Sequence, residues 1–156
     1  MNLITASEVK QLTTIEQNLS DDLIFPQISI AQEKHIKPIL GKDLYNALIE
    51  NPANYPELYE QIKTPLAFWV YYESALFLWL RMTNKGLVKR TSEYAENISG
   101  EDFKFFRSEI REYAKEFTAI LIRHLEESSY ELYNKKTNNS TDQVSNRDNI
   151  SGIYFY

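Results

Sequence analysis

The sequence contains no cysteine and only two histidines, His35 and His124. Without thiols the chain forms no disulfide, no thiolate zinc site and no iron–sulfur site, and it has no cysteine nucleophile. Glycine and proline are also scarce, with 4 and 5 residues among 156, which disfavours an all-β chain built on many tight turns. The composition therefore favours a helical protein without thiol chemistry.

Long uninterrupted apolar runs are also absent. The longest apolar stretch, from Leu66 to Met82, is interrupted by Glu73 and Ser74 and falls short of the ~20 apolar residues that span a membrane. We interpret it as a core helix and expect no membrane partner. Residues 1–8 lack a basic region followed by an apolar run, so no secretory signal is predicted. The net charge of −5 argues against a general nucleic-acid binder, which draws its affinity from basic residues.

Two capped helices are predicted in the first forty residues. Thr5 and Glu8 form a capping box, which predicts a short helix that ends near Leu12. Capping oxygens in residues 20–22 predict a second helix that ends at Gly41. Its expected buried stripe has helical spacing and consists of Ile24, Ile28, Ala31, His35 and Ile39.

The central part of the chain predicts short connecting helices over residues 43–50 and 56–63. Thr64-Pro65 is a helix-start signal, because proline at the first helical position lacks only a donor that would be unpaired anyway. The helix after it is apolar on nearly every side, so we expect it to be a central post surrounded by other helices or subunits. Asn84-Lys85-Gly86 should end it.

An extended arm or loose hairpin is predicted over residues 87–97, followed by a last long helix capped by Ser99 and Asp102. Apolar residues recur along that helix at spacings of three and four, and a second row widens this stripe. The first row is Phe103, Phe106, Ile110, Tyr113, Phe117, Ile120 and His124, and the second is Leu121, Leu125 and Leu132. The predicted fold class is therefore all-α, a bundle of about four to five helices.

The chain divides into a helical domain, residues 1–133, and a polar C-terminal tail, residues 134–156. The tail is too polar to bury a core, so we expect it to be disordered in isolation. Its last part is apolar and strand-prone and consists of Ile153, Tyr154, Phe155 and Tyr156. This segment is either one that docks on a neighbouring molecule or an unattached terminus.

The candidate catalytic residues are few. Glu109 and Glu112 share a helix face, but the second carboxylate pair of an all-α nucleotide pyrophosphohydrolase is missing, so we interpret them as a solvated face. His35 and His124 fall on apolar stripes and are interpreted as structural. We expect neither an enzyme nor a cofactor or metal site.

Surplus aromatic residues indicate assembly, because 11 Tyr and 8 Phe exceed what one small core needs and Tyr is favoured at interfaces. The arm also carries a local basic patch, Lys85, Lys89 and Arg90, for which a protein partner is favoured over phosphate. The predicted contact residues lie in the arm and in the tail. They are Leu87, Val88, Lys89, Arg90 and Tyr94, followed by Ile153, Tyr154, Phe155 and Tyr156.

The order of these features resembles the helical head-to-tail connector, or adaptor, proteins of tailed phages. The resemblance rests on a capped first helix, an acidic turn and a helix ending in Leu-Gly, at Leu3 to Lys10, Asp21 to Ile24 and Ile36 to Gly41. The chain is more closely similar to small helical proteins of crAss-like and other Bacteroidetes phages. That similarity lies at Ala31-Gln32, Pro38 to Gly41, Leu44-Tyr45 and Thr83 to Gly86.

The resemblance implies a structural virion protein, made in the host bacterial cytoplasm. It implies a homo-oligomeric ring, usually a dodecamer, between the portal protein and neighbouring connector or tail ring proteins, with genomic DNA passing through the lumen without specific binding. It brings no catalytic residues. The alternative interpretations are a small helical interaction or regulatory module and, less favoured, a nucleotide-processing all-α enzyme.

Overall fold

Helices form nearly all of the fold in a computed structural model, which describes residues 1–83, 86–89 and 99–133. The all-α bundle expected from the sequence is confirmed. In chain order the helices are α1 (Ala6–Leu12), α2 (Phe25–Ala31), α3 (Lys37–Leu40), α4 (Lys42–Glu50), α5 (Pro56–Trp79) and α6 (Gly100–Glu127). Two strands between α5 and α6 complete it, β1 (Leu80–Thr83) and β2 (Gly86–Lys89). Short 3-10 turns precede α2 and α5 at Asp21–Leu23 and Pro52–Asn54.

The predicted capping box of α1 is present. The Thr5 hydroxyl accepts a hydrogen bond from the Glu8 backbone N–H at 3.2 Å, and the Glu8 carboxylate accepts one from the Thr5 N–H at 2.9 Å. Each side chain thus satisfies a backbone donor that the first helical turn leaves free. The helix ends at Leu12, as expected.

The predicted second helix runs from α2 through a π-helical turn, Gln32–Ile36, into α3. Pro26 lies in its first turn, where a proline costs least. Pro38 has no N–H and its ring crowds the carbonyl of residue 34, so the wider π turn directly before it relieves that conflict. Gly41 ends this second helix with a φ of 77°, a conformation that favours glycine.

Helix α5 is longer than the sequence predicted. It begins at Pro56 and continues without a break through Pro65, so the prediction of separate helices over 56–63 and from Thr64-Pro65 was wrong. Leu58, Ile62 and Leu66 form one fully buried stripe across the proline. Burial of this stripe, worth about 1.5–3 kcal/mol per large apolar side chain, outweighs the missing hydrogen bond at Pro65.

The end of α5 was also predicted too late. The helix ends at Trp79, and Leu80 adopts an extended conformation with φ −118° and ψ 152°. Strand β1 then pairs antiparallel with β2, with Leu80 opposite Lys89 and Thr83 opposite Gly86. Pairing with β2 satisfies the backbone groups of residues 80–83 that a longer helix would have used. The first residues of the predicted arm therefore form a hairpin strand.

Helix α6 begins with the predicted capping box: the Ser99 hydroxyl accepts from the Asp102 N–H at 3.0 Å. Its buried row agrees with the predicted first row only in part, at Phe103 and Ile110. The buried residues are Phe103, Ile110, Ala114, Leu121 and Leu125, while several residues of the predicted row are exposed, as is Leu132. From Ala114 onward the helix is rotated so that Leu121 and Leu125 of the second row meet the core, because α5 is its main partner and covers one face only.

The core lies around α5, which packs against α1, α2 and α6. This placement confirms the predicted central post. Its buried partners include Val9 from α1, Ile28 from α2 and Leu121 from α6. No helix among the described residues has the length and apolar character needed to cross a membrane.

Candidate functional site

The most distinctive surface is a row of aromatic rings along the line where α5 and α6 meet. We call it the aromatic seam and define it as Phe68, Tyr71, Phe106, Tyr113 and Phe117. Tyr113 and Phe106 are 52% and 43% exposed, and the neighbouring Ile120 is 49% exposed. Since α6 rises ~1.5 Å per residue, the distance from Phe106 to Ile120 is about 21 Å. A contiguous apolar strip of this length is unusual on an isolated small protein.

The seam rings contact one another across the two helices. Phe68 packs against Phe117 with ring centroids 4.9 Å apart and against Tyr113 at 6.0 Å. Tyr71 meets the edge of Phe106 at 5.9 Å. These geometries are the favourable tilted and edge-on ones for aromatic pairs. The rings thus hold one another in place, and among the described residues Phe106 and Tyr113 remain exposed.

A groove lies at each end of the seam. The first, which we call the end groove, has a volume of 310 Å³ and is lined mainly by the last turns of α5, the start of α6 and Ile15 and Leu19 of the preceding loop. Trp79 and Phe103, stacked at 4.2 Å with an interplanar angle of 16°, form its floor. The second groove, of 300 Å³, lies between Pro65 and Ile120 and has a more polar rim.

A buried lysine holds the loop that forms one wall of the end groove. Lys10 is only 6% exposed, and its Nζ donates to the carbonyl oxygens of Gln17, at 3.2 Å, and of Leu19. It also lies 2.5 Å from a carboxylate oxygen of Asp21. Gln17 returns a hydrogen bond from Nε2 to the Lys10 carbonyl at 2.9 Å. The loop wall is therefore fixed to α1 by a charge-assisted network.

Replacing Lys10 with methionine is expected to lower the free energy of unfolding by about 2 kcal/mol, because hydrogen bonds from a charged group to two carbonyls are lost. Urea denaturation followed by circular dichroism measures this. The matched control is Lys42→Met, at an exposed lysine, with an expected change below about 0.5 kcal/mol. Equal effects of the two variants would show that the loop does not depend on Lys10.

The opposite flank of α6 is basic. Lys104, Arg107 and Arg111 line a shallow groove beside Tyr72. The Arg107 guanidinium lies 4.0 Å from the centre of the Tyr72 ring, and its Nε donates to the Tyr72 carbonyl at 3.4 Å. A planar cation over an aromatic ring is favourable and stays available to an acidic partner. The two flanks of α6 thus differ in chemistry, one aromatic and one cationic.

A polar cluster joins α5 to the π turn of the second helix. The Glu73 carboxylate lies 2.7 Å from His35 Nε2 and 2.6 Å from Lys34 Nζ. The His35 ring stacks on Trp69 at 3.8 Å, nearly parallel at 4°, and Trp69 Nε1 donates to the Thr118 hydroxyl at 2.9 Å. The histidine is half-buried and hydrogen-bonded, as a structural residue would be.

Burial and neighbouring charges shift the pKa values of His35 and Glu73, but a different influence dominates at each residue. Burial lowers the pKa of His35 below its ordinary value of 6.5, and this outweighs the nearby Glu73, which acts to raise it. Burial acts to raise the pKa of Glu73, but the hydrogen bonds from Lys34 and His35 outweigh it and hold that pKa below its ordinary 4.5. Neutral His35 beside charged Glu73 is the favoured state near pH 7.

Stability is therefore expected to fall as the pH decreases from 7 to 5. In this window the unfolded chain takes up a proton on His35 more readily than the folded chain, so lower pH favours unfolding. The Glu73 contribution is present above pH 4.5 and is lost as the pH falls further through its folded pKa. Urea denaturation between pH 5 and 7 tests this, with His35→Gln expected to show a flatter dependence. An unchanged slope in that variant would contradict it.

The remaining candidates for chemistry have structural partners. Glu112 pairs with Lys115 at 2.8 Å, and His124 Nε2 lies 3.1 Å from the Tyr130 hydroxyl. Tyr130 also packs against the His124 ring, with ring centroids 6.0 Å apart. Within residues 1–83, 86–89 and 99–133, no three histidine, aspartate or glutamate side chains converge as metal ligands would.

Of the nine contact residues predicted from the sequence, the structure describes three, and these three do not line the seam or its grooves. Leu87, Val88 and Lys89 lie in β2. Arg90 and Tyr94 of the arm, and Ile153 to Tyr156 of the tail, lie outside the described residues, so these predictions stay open. The seam was missed because its residues were interpreted as the buried row of α6. The signal that identifies it is the presence of two apolar rows on one helix.

Comparison with known proteins gives one result. The family model described as a family of unknown function (DUF6712) matches residues 36–143, which is more than two thirds of the 156 residues. The matched region contains the whole seam, whereas α1 and the loop wall of the end groove precede it. No curated protein and no solved structure matches the chain.

Proposed function

The chain belongs to the DUF6712 family, a family of unknown function, and we propose that it is a non-catalytic structural subunit that assembles with copies of itself. The observation that carries this proposal is the aromatic seam, whose rings contact one another while Phe106 and Tyr113 stay exposed. Large exposed apolar patches on soluble proteins mark interaction sites. Aromatic side chains supply much of the affinity at such sites.

The two flanks of α6 differ in chemistry, and this difference favours a closed ring over a symmetric dimer. A closed ring needs heterologous contacts, in which one patch of each subunit meets a different patch of the next. The seam and the cationic flank around Arg107 lie on different sides of one helix and present different chemistry. A chain of net charge −5 also offers acidic surface that the cationic flank of the next subunit can contact.

The larger assembly that we propose is the head-to-tail connector of a tailed phage, where the ring lies between the portal protein and the tail. The resemblance of residues 1–133 to connector proteins supports this identity. The acidic charge is consistent with it, because an acidic lining repels passing DNA and a basic one would hold it. We therefore propose that Lys104, Arg107 and Arg111 face a neighbouring subunit and not the lumen.

Absolute mass by light scattering tests the proposal. The purified chain is measured at low and high concentration and then mixed with portal particles. A closed oligomer, alone or on the portal, is the expected result, and DNA added to it should not bind. A monomer or dimer that ignores the portal would overturn the ring and favour a small interaction module instead.

A further inference from the structure

The end groove is a candidate binding site for the last four residues of the chain. We propose that the end groove of one copy binds the segment Ile153–Tyr156 of a neighbouring copy, so that the tail ties adjacent subunits together. This inference rests on the proposed assembly function and adds the identity of one contact. The donor is residues 153–156, and the acceptor is the surface around Trp79, Phe103 and Phe106.

The chemistry of the groove matches that segment. The stacked rings of Trp79 and Phe103 form an aromatic floor, and Ile15, Leu19 and Leu78 add aliphatic walls. A volume of 310 Å³ is at the small end of ligand sites and suits a few side chains. Glu16 at the rim is an acceptor for a tyrosine hydroxyl. The groove near Pro65 has a more polar rim, with Glu60 and Gln61, and suits this segment less well.

The segment is distinct from the chain before it. Ile153, Tyr154, Phe155 and Tyr156 are all apolar or aromatic, whereas residues 134–152 contain only Val144 and Ile150 as large apolar residues. Aromatic side chains bind favourably to a preformed apolar groove, because each buries a large apolar area while few rotatable bonds lose their freedom. The spacer has three basic and two acidic residues, so an acidic body does not repel it.

The length of the spacer favours a neighbouring copy over the same copy. Tyr130, shortly before the tail, packs against Tyr55 at the start of α5, at the end of the bundle opposite Trp79. Along α6 the distance from Phe106 to Glu127 is about 32 Å. A chain of 19 residues with random-coil dimensions has a typical span of about 25 Å and a maximum of about 65 Å. If a neighbouring copy brings its groove within ~25 Å of Tyr133, the tail therefore reaches that groove more easily than the groove of its own copy.

A pair of complementary full-length variants tests the contact. The donor variant replaces Tyr154, Phe155 and Tyr156 with serine, and the acceptor variant is Leu78→Lys, at a part-buried position that lines the groove and lies outside the seam. Each variant alone is expected to weaken self-association at least about tenfold. A mixture of the two should recover a species of twice the monomer mass, because the intact tail of one enters the intact groove of the other.

Matched measurements separate the possible outcomes. Phe105→Lys adds the same charge at a residue that is 69% exposed and does not line the groove, and it should retain wild-type association. A donor variant that forms the wild-type oligomer would overturn the tail contact and leave the ring intact. A mixture that gains no mass over either variant would overturn docking between copies. A wild-type dimer that the donor variant dissolves would support the contact and overturn the ring.

Discussion

Replacing Trp69 with alanine is expected to lower the free energy of unfolding by about 3–5 kcal/mol, the range for removing a large aromatic side chain from a core. Trp69 is 8% exposed and joins three elements. It stacks on His35 from the second helix, meets Tyr72 edge-on at 5.8 Å and donates to Thr118 of α6. Its loss leaves a cavity between α5, the π turn that carries His35, and α6.

The variant Trp69→Phe distinguishes the stability contributed by the aromatic ring from that contributed by the indole hydrogen bond. It keeps an aromatic face for His35 but cannot donate to the Thr118 hydroxyl, so the expected loss is about 1–2 kcal/mol. Urea denaturation followed by circular dichroism gives both values, and an unchanged slope with denaturant shows that the unfolded state is comparable. A loss below about 1 kcal/mol for Trp69→Ala would show that Trp69 does not connect α5 to α6.

Local signals predicted the ends of several helices well. The capping boxes at Thr5 and Ser99 were visible in the sequence because a cap depends on residues three positions apart. The stop at Gly41 was visible for a similar reason, since a single positive φ selects glycine. Features that depend on a few neighbouring residues are readable without any knowledge of the fold.

Features that depend on packing were not readable in the same way. Pro65 is a start signal by local rules, yet the fully buried stripe of Leu58, Ile62 and Leu66 carries the helix through it. The end of α5 at Trp79 was hidden because Leu80 to Met82 continue the apolar run. Only the partner strand β2 decides that these residues are extended, and strand pairing has no local signature of its own.

The aromatic seam shows the same limit at the candidate site. Spacing alone identifies apolar rows on α6 but does not say which row meets α5. The observed rotation buries Ala114 and Leu121 and leaves Tyr113 and Ile120 exposed. A row that contains a small residue such as Ala114 permits close helix approach, which is the clue that would have favoured it. The surplus of Tyr and Phe agrees with the exposure of Phe106 and Tyr113, while the assembly that it indicates stays a prediction.

The double variant Tyr113→Glu with Ile120→Glu is expected to break self-association while the subunit stays folded. Both positions are about half exposed, so the loss of unfolding free energy should stay below about 1 kcal/mol per site. In an assembled seam each would bury a carboxylate against aromatic rings, at a cost of about 2 kcal/mol or more. The dissociation constant should therefore rise by roughly 100-fold to 1000-fold, measured by light scattering across a dilution series.

The control that makes this result specific is Phe105→Glu with Ala119→Glu. It adds the same two charges to the same helix, but at exposed positions that lie one residue before Phe106 and Ile120 and outside the seam. Charge repulsion alone would weaken both double variants equally, because both lower the net charge by two. Loss of seam contacts would weaken self-association only in the Tyr113→Glu with Ile120→Glu variant. If both variants assemble like the wild type, the subunits meet elsewhere, and the uncovered rings of α6 belong to a contact with a different protein.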